Sequence, residues 1–74
     1  EEVALSPNPA TGLLSLEVPE TLHTYDIFIY DGVGRRMLHK RNQKQIDISS
    51  LQPGLYYIVI SNENLKQTSK FLKL

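Results

Sequence analysis

Two histidines and nearby carboxylates are the residues of this chain whose types suit metal binding. His23 and His39 are its only histidines, and Asp26 and Asp31 are the candidates for a third ligand. A zinc site needs three or four such ligands held together, and no spacing in the sequence enforces that convergence. Surface histidines therefore explain the pattern better than a metal site does, and the sequence predicts no cofactor.

Three residue types of a hydrolytic triad also occur close together in the sequence. Ser49, His39 and Asp47 supply them, but no strained nucleophile turn flanks the serine. Residues 32–34 read Gly-Val-Gly, without the third glycine and the following helix of a dinucleotide-binding loop. We therefore predict no catalytic activity and interpret these glycines as part of a turn.

Basic and aromatic side chains offer two binding chemistries. Residues 35–44 contain five basic side chains and no acid, which is typical of a solvated strand and loop but also suits an acidic partner or an anionic glycan. Tyrosines at strand spacing usually pack a core with the hydroxyl group at its edge, and the alternative is a face that stacks on carbohydrate. The four tyrosines are Tyr25, Tyr30, Tyr56 and Tyr57.

Short β-strands are the elements that must position these residues. Apolar and polar residues alternate at 14–18, and β-branched and aromatic residues are dense at 25–30 and 55–60. Further strands are predicted at residues 2–5, 36–40, 45–48 and 68–73. No connection is long enough for a helical crossover, so the pairing is predicted to be antiparallel. The pattern predicts an all-β sandwich of about seven short strands.

The predicted core follows from this alternation. Inward-facing side chains are expected at Val3, Leu5, Leu14, Leu16, Val18, Ile27, Ile29, Met37, Ile46, Ile48, Leu51, Tyr56, Ile58, Ile60 and Phe71. A domain of this size has little apolar material to spare. An internal substrate cavity is therefore not expected.

Turn signals separate the predicted strands. The Pro-Asn-Pro sequence at residues 7–9 lacks two backbone donors, so it cannot join a central ladder. Gly12 is expected to take the positive φ of a turn, and Asp31 with Gly32 and Gly34 predicts a tight reversal. Residues 53–54 and 61–64 predict two more turns. The residues interpreted as fold-setting are Pro7, Asn8, Pro9, Gly12, Asp31, Gly34 and Gly54.

Composition limits the chain to one small domain. It has 74 residues, no cysteine, and eight basic against eight acidic side chains. The charge is uneven along the chain, because residues 1–34 carry six acids and no Lys or Arg, whereas residues 35–74 carry every basic side chain. A balanced total argues against nucleic-acid binding, and no apolar run approaches the roughly 20 residues of a membrane span. The chain begins with Glu1 and not with Met, so we expect a piece of a longer protein.

Three segments, in this order, resemble one known family. Residues 5–12 read Leu-Ser-Pro-Asn-Pro-Ala-Thr-Gly, and residues 31–35 form an Asp-x-x-Gly-Arg turn between two strands. Residues 46–60 lead through Pro-Gly into the strongest strand, and residues 68–74 form a lysine-rich terminal strand. Together they resemble the C-terminal sorting domain of cargo proteins of the type IX (Por) secretion system of Bacteroidetes. The departures are Ser6, where the family often has an aromatic residue, and Leu74 after Lys73.

The resemblance implies an immunoglobulin-like β-sandwich, over residues 1–74, at the end of a larger exported protein. Such a domain addresses its cargo to the outer-membrane translocon, so it passes through the periplasm to the cell surface or the medium. An outer-membrane β-barrel shuttle recognises it. A sortase-like cysteine peptidase usually removes it and joins the cargo to anionic lipopolysaccharide. The domain itself has no chemistry, and cleavage is expected in a linker before the first strand.

The terminal strand is the predicted recognition element. A strand at the end of a sheet has free backbone groups, and a partner can bind them by adding a strand. The same property allows self-association through edge strands. The alternative function is a small β-sandwich module for carbohydrate binding or adhesion. The residues assigned to recognition are Gly54, Tyr56, Lys70, Phe71, Leu72, Lys73 and Leu74.

Overall fold

Seven antiparallel β-strands form two sheets in the computed structural model, which describes residues 3–74. A three-stranded sheet has the order β1-β2-β5, and a four-stranded sheet has the order β4-β3-β6-β7. The predicted all-β, antiparallel sandwich is confirmed, although Glu2, predicted to start the first strand, lies outside the described residues. The strands are β1 (Ala4–Ser6), β2 (Leu13–Glu17), β3 (Asp26–Tyr30), β4 (Arg36–Arg41), β5 (Gln45–Asp47), β6 (Gly54–Ser61) and β7 (Lys66–Lys73).

The strand order and one tyrosine identify an immunoglobulin-like sandwich. The order differs from a constant-type immunoglobulin domain in one respect, because β4 pairs with β3 in the second sheet. Tyr56, near the start of β6, donates its hydroxyl hydrogen to the backbone oxygen of Gln52 at 2.6 Å. This contact is the tyrosine corner that immunoglobulin-like domains place at the start of their sixth strand.

The core lies between the inner faces of the two sheets. Alternate residues of β2, β3 and β6 point inward, as in Leu14, Ile27 and Ile58, which are at most 1% exposed. Each such side chain contributes roughly 1.5–3 kcal/mol by leaving water. The buried apolar residues are Val3, Ala10, Leu14, Leu16, Tyr25, Ile27, Ile29, Ile46, Ile48, Leu51, Tyr56, Ile58, Ile60 and Phe71.

The structure corrects the predicted core at one position and extends it at two. Met37 was expected inside but is 37% exposed, because its neighbour Leu38 pairs with the inward-facing Ile29 and alternation then turns Met37 to the outer face. Leu38 packs against the core instead. Ala10 and Tyr25 are buried although the alternation did not include them. Leu5 and Val18 pack against the core only partly buried.

The reversal between β3 and β4 is built around the Asp31 carboxylate. One oxygen accepts the backbone N–H groups of Arg35 at 2.8 Å and Val33 at 3.1 Å, and the other accepts Nε of Arg35 at 3.1 Å. The backbone N–H of Gly34 donates to the Asp31 carbonyl oxygen at 3.0 Å. Gly34 has a φ of 90°, which L side chains rarely adopt. The predicted tight turn is confirmed.

Replacing Gly34 with alanine is expected to destabilise the domain by about 1 kcal/mol through backbone strain. No atom outside its chain neighbours lies within 4 Å of an added Cβ, so crowding does not contribute. Gly12 provides the control, because it was predicted to have a positive φ and does not, and an added Cβ there also meets nothing. Urea unfolding of Gly34→Ala and Gly12→Ala measures the difference. Equal urea midpoints for the two variants would contradict the conclusion that the positive φ of Gly34 strains an alanine there.

The Asp31 carboxylate is also expected to make stability depend on acid. Its backbone hydrogen bond from Arg35 is the main reason that the pKa of Asp31 lies below its ordinary value of 3.8. A lowered pKa in the folded state stabilises the fold above the unfolded pKa, and this stabilisation is lost as the pH falls through the folded pKa. Urea unfolding at a series of pH values should show the wild-type chain losing its advantage over Asp31→Asn below about pH 4. A difference that stays constant down to about pH 2 is the contrary result.

Candidate functional site

The terminal strand β7 divides the predicted recognition residues between two faces. It pairs with β6 along its whole length, from Ser61↔Lys66 to Gly54↔Lys73. Phe71 and Lys73 are buried on the inner face, whereas Lys70 and Leu72 are exposed on the outer face, as is Leu74 just beyond the strand. We use the term terminal segment for residues 70–74. A partner that approaches the outside of the sheet meets Lys70, Leu72 and Leu74.

Tyr56 and Phe71 belong to the core. Phe71 is 0% exposed and Tyr56 is 6% exposed, and their rings stack with centroids 5.7 Å apart. The Tyr56 hydroxyl is already bonded to Gln52. Gly54 begins β6 with a φ of 154° and lies opposite Lys73. These contacts assign Tyr56, Phe71 and Gly54 to the fold, and the side chains of Tyr56 and Phe71 are not presented to a partner.

Lys73 also departs from its predicted role as a contact for an acidic surface. It is only 8% exposed, and its ammonium group donates a hydrogen bond to the backbone oxygen of Leu74 at 3.1 Å. The aliphatic part of a lysine can lie along apolar surface while the charge stays at the edge. Lys70 is therefore the lysine of the terminal segment that is exposed on the outer face.

The free edge expected on the terminal strand is occupied by residues from the start of the chain. The Asn8 side-chain amide accepts the N–H of Leu72 at 3.0 Å and donates to the Lys70 carbonyl oxygen at 3.4 Å. The backbone of Ala10 lies beside Lys73 and bonds its two neighbours. The Ala10 N–H donates to the Leu72 oxygen, and the Ala10 oxygen accepts the Leu74 N–H, each at 2.8 Å. The terminal segment is thus already paired along its outer edge.

We call residues 7–10 the edge cover. Pro7 and Pro9 have no N–H to donate, so the Asn8 side chain supplies the amide group that a normal strand would supply from its backbone. Farther along β7, the Gln67 amide bonds both the N–H and the oxygen of Val3, each at 2.8 Å. Pro-Asn-Pro therefore does more than make a turn, since its asparagine closes an edge that would otherwise accept another strand.

The sequence of this chain matches the model of a known protein family. The model described as "Secretion system C-terminal sorting domain" matches residues 4–73, nearly the whole chain. The chain belongs to this family. No match was found among the curated proteins. The resemblance to type IX sorting domains is confirmed, and the family carries export signals for the cell surface or for secretion. A sorting-signal family is not a catalytic family.

The charge distribution of this sorting domain follows its two sheets. On the outer face of the four-stranded sheet, β4 and β7 contribute basic residues from both edges. On the outer face of the three-stranded sheet, Glu17 and Asp47 are the charged side chains of the strands. The basic side chains of β4 and β7 thus lie on one face, with Asp26 among them, and the acids Glu17 and Asp47 lie on the other.

The predicted metal and triad residues have other partners in the sorting domain. His39 lies with Nε2 3.0 Å from an Asp26 carboxylate oxygen, and its ring stacks on Phe28 with centroids 4.4 Å apart. Among residues 3–74, no three potential metal ligands lie together. Ser49 donates its hydroxyl hydrogen to Asp47 at 2.6 Å, which lowers the pKa of Asp47. The serine–aspartate pair closes the turn after β5, while His39 bonds Asp26.

The four tyrosines do not share a face. Tyr25 is 3% exposed and donates to the Gln43 carbonyl oxygen at 3.0 Å, and its burial raises the pKa of the hydroxyl group. Tyr56 is in the core, as described above. Tyr30 and Tyr57 lie directly opposite each other on the outer face of the four-stranded sheet. The predicted carbohydrate-stacking face is therefore reduced to one tyrosine pair.

Asn42 positions the loop after β4, although it was not singled out from the sequence. Asn42 has a φ of 56°, and its side chain accepts the N–H of Tyr25 at 2.8 Å while its own N–H donates to the Tyr25 oxygen. Asparagine is among the few residues that take this conformation readily, so its residue type was the signal that could have predicted the loop.

In the part of the chain that the structure describes, no helix is long and apolar enough to cross a membrane.

Proposed function

We propose that this chain is the sorting signal of a larger exported protein and occupies its carboxyl-terminal end. The observation that carries the proposal is the family match over residues 4–73. An outer-membrane β-barrel shuttle of the type IX system binds the domain. A sortase-like peptidase then removes it and joins the cargo to anionic lipopolysaccharide. The domain is the ligand of the shuttle and the substrate of the peptidase, and it catalyses no reaction itself.

The terminal segment is the first contact for the shuttle in this proposal. Lys70, Leu72 and Leu74 direct their side chains outward, and Leu72 and Leu74 are 40% and 59% exposed. An exposed apolar side chain beside a lysine suits a surface that combines apolar and acidic groups. Phe71 and Lys73 contribute indirectly, because their burial fixes which way the other three point.

Binding by strand addition requires the edge cover to leave. A partner strand would need the same backbone groups of Leu72 and Leu74 that Asn8 and Ala10 now occupy. Recognition by side chains alone leaves the edge cover in place. The two modes differ in whether the partner changes hydrogen exchange at the N–H groups of Leu72 and Leu74.

Cleavage is proposed to occur before Val3. Val3 is 3% exposed, and Gln67 holds both its N–H and its oxygen, whereas a protease needs extended, accessible backbone. Sequencing the amino terminus of the domain released by its native host locates the cut. A cut after Gly12 would contradict this placement.

Export of a reporter protein fused before the chain tests the proposal in a host with a type IX system. We expect the wild-type fusion to reach the cell surface or the medium, and Lys70→Glu with Leu72→Ala to reduce export by about tenfold. Lys44→Glu with Leu13→Ala is the matched control, because Lys44 is exposed and Leu13 is 51% exposed on the other sheet. A wild-type fusion that stays inside the cell would overturn the proposed function.

A further inference from the structure

The outer face of the four-stranded sheet carries an ordered set of basic, aromatic and aliphatic side chains. Strand register aligns them in rows that cross all four strands. One row is Arg36, Tyr30, Tyr57 and Lys70, and its neighbour is His39, Phe28, Val59 and Thr68. We call these two rows, with Leu55 and Leu72, the basic–aromatic face. Three strand spacings of about 4.8 Å separate Arg36 from Lys70, so the face is roughly 14 Å wide.

Positive charge dominates this side of the sheet. Its outward basic side chains are Arg36, Arg41, Lys66 and Lys70. The carboxylate among them is Asp26, which is paired with His39 at 3.0 Å and Arg41 at 3.2 Å. Asp26 therefore offsets Arg41, and the charges of Arg36 and Lys70 face solvent. A surface of this sign attracts an acidic partner.

Apolar side chains occupy the centre and one end of the face. Leu55 and Leu72 lie directly opposite each other and are 46% and 40% exposed. Tyr30 and Tyr57 form the adjacent cross-strand pair and are half-buried. Aromatic and aliphatic residues at the centre, with arginine and lysine at the rim, are the arrangement of protein interfaces. The outer face of the other sheet instead presents residues such as Ser15, Glu17 and Gln45.

The geometry of Phe28 favours a protein partner over a glycan. The His39 ring stacks on it at 4.4 Å, and the Arg36 guanidinium lies 5.6 Å from its centroid. A sugar stacks on a free aromatic face, and these contacts occupy the ring. The same contacts hold Arg36 and His39 in place, which lowers the entropy that they lose on binding a protein surface.

We propose that the basic–aromatic face docks a protein surface whose carboxylates surround an apolar centre. The inference rests on the proposed function and deepens it: the recognition surface extends from the terminal segment across the whole sheet to Arg36 on β4. Lys70 and Leu72 belong to both surfaces. Arg36, Tyr30 and Tyr57 belong to this face alone, so they carry its test.

The binding experiment uses the isotope-labelled 74-residue chain and three probes. The probes are a glutamate–tyrosine copolymer, heparin, and vesicles containing phosphatidylglycerol. Amide shifts in the nuclear magnetic resonance spectrum locate binding. We expect the copolymer to shift the amides of β3, β4 and β6 around Arg36 and Tyr57, with an affinity that falls as salt rises. Arg36→Glu with Tyr30→Ser should weaken this binding about tenfold, while the matched Lys44→Glu with Leu13→Ala should not.

Each outcome decides the proposal. Copolymer shifts on the face, lost in the Arg36 and Tyr30 variant, support it. No shifts on the face, or stronger shifts there with heparin or vesicles, overturn it. The reporter fusion separates this inference from the proposed function. If the terminal-segment variant stops export and the Arg36 and Tyr30 variant does not, the sorting function stands and the wider face is rejected. If even the wild-type fusion is not exported, the sorting function fails, while the binding data still decide the face.

Discussion

Replacing Phe71 with alanine is expected to remove most of the stability of this domain. Phe71 is 0% exposed and stacks on Tyr56, and truncating a buried phenylalanine costs about 3–5 kcal/mol because it leaves a cavity. A single core of this size rarely supplies more than about 3–5 kcal/mol. Thermal unfolding by circular dichroism should therefore show Phe71→Ala largely unfolded at 37 °C.

Leu72→Ala is the matched substitution one position along the strand. Leu72 is 40% exposed on the outer face, so its truncation should cost less than about 1 kcal/mol. We expect Leu72→Ala to remain folded while its export is reduced, and Phe71→Ala to lose both its fold and its export. A Phe71→Ala chain that is as stable as Leu72→Ala would contradict the assignment of Phe71 to the core.

This pair of substitutions resolves an ambiguity in the simplest deletion test. Removing residues 70–74 abolishes the exposed side chains of Lys70 and Leu72, but it also removes Phe71 from the core. Loss of export would then report unfolding as readily as lost recognition. Substitutions confined to outward positions keep the fold and test recognition alone.

Replacing Asn8 with alanine is expected to open the edge of the terminal segment. It removes two hydrogen bonds, to the Leu72 N–H and the Lys70 oxygen, which together contribute about 1–2 kcal/mol. The Leu72 amide should exchange its hydrogen with solvent about five- to thirtyfold faster, since a loss of about 1–2 kcal/mol changes an equilibrium by that factor. Hydrogen exchange followed by nuclear magnetic resonance measures this residue by residue.

Two variants make the Asn8 prediction specific. Asn8→Asp keeps the oxygen that accepts from Leu72, so the Leu72 amide should stay better protected than in Asn8→Ala. Asn64→Ala is the control, because it removes an exposed asparagine side chain from the β6–β7 loop while the backbone N–H of residue 64 can still donate to Asn62. We expect it to leave exchange at Leu72 unchanged. Unchanged exchange at Leu72 in Asn8→Ala would rule out the edge cover. Sedimentation of Asn8→Ala at rising concentration tests whether the opened edge pairs with a second copy.

The elements of this fold were predictable because their signals are local. Alternation at residues 14–18 located β2, since burial of one face imposes a period of two, and the dense β-branched and aromatic residues at 55–60 located β6. The turn at Asp31 depends on contacts between residues at most four apart, so its sequence contains all its partners. The resemblance of ordered motifs to sorting domains likewise needed only the sequence.

Tertiary structure decided which side of the terminal strand faces out. In Lys70-Phe71-Leu72-Lys73, each face receives one lysine and one apolar residue, so alternation alone does not choose between them, although Phe71 was correctly predicted to face inward. The stack of Phe71 on Tyr56 fixes the choice. Met37 shows the same limit, because the pairing of Leu38 with Ile29 decides that Leu38 faces the core and Met37 faces outward.

The amino-acid pattern was enough to predict a small all-β domain, its strands and local turns, and its family. The three-dimensional structure was needed to show that Asn8 and Ala10 close the edge of residues 70–74, and that β4 and β7 place their basic side chains on one face. The first depends on hydrogen bonds between residues more than 60 positions apart, and the second on β4 and β7 lying in the same sheet. Such pairing is set by which strands share a sheet, and the period of a single strand carries no information about its neighbours.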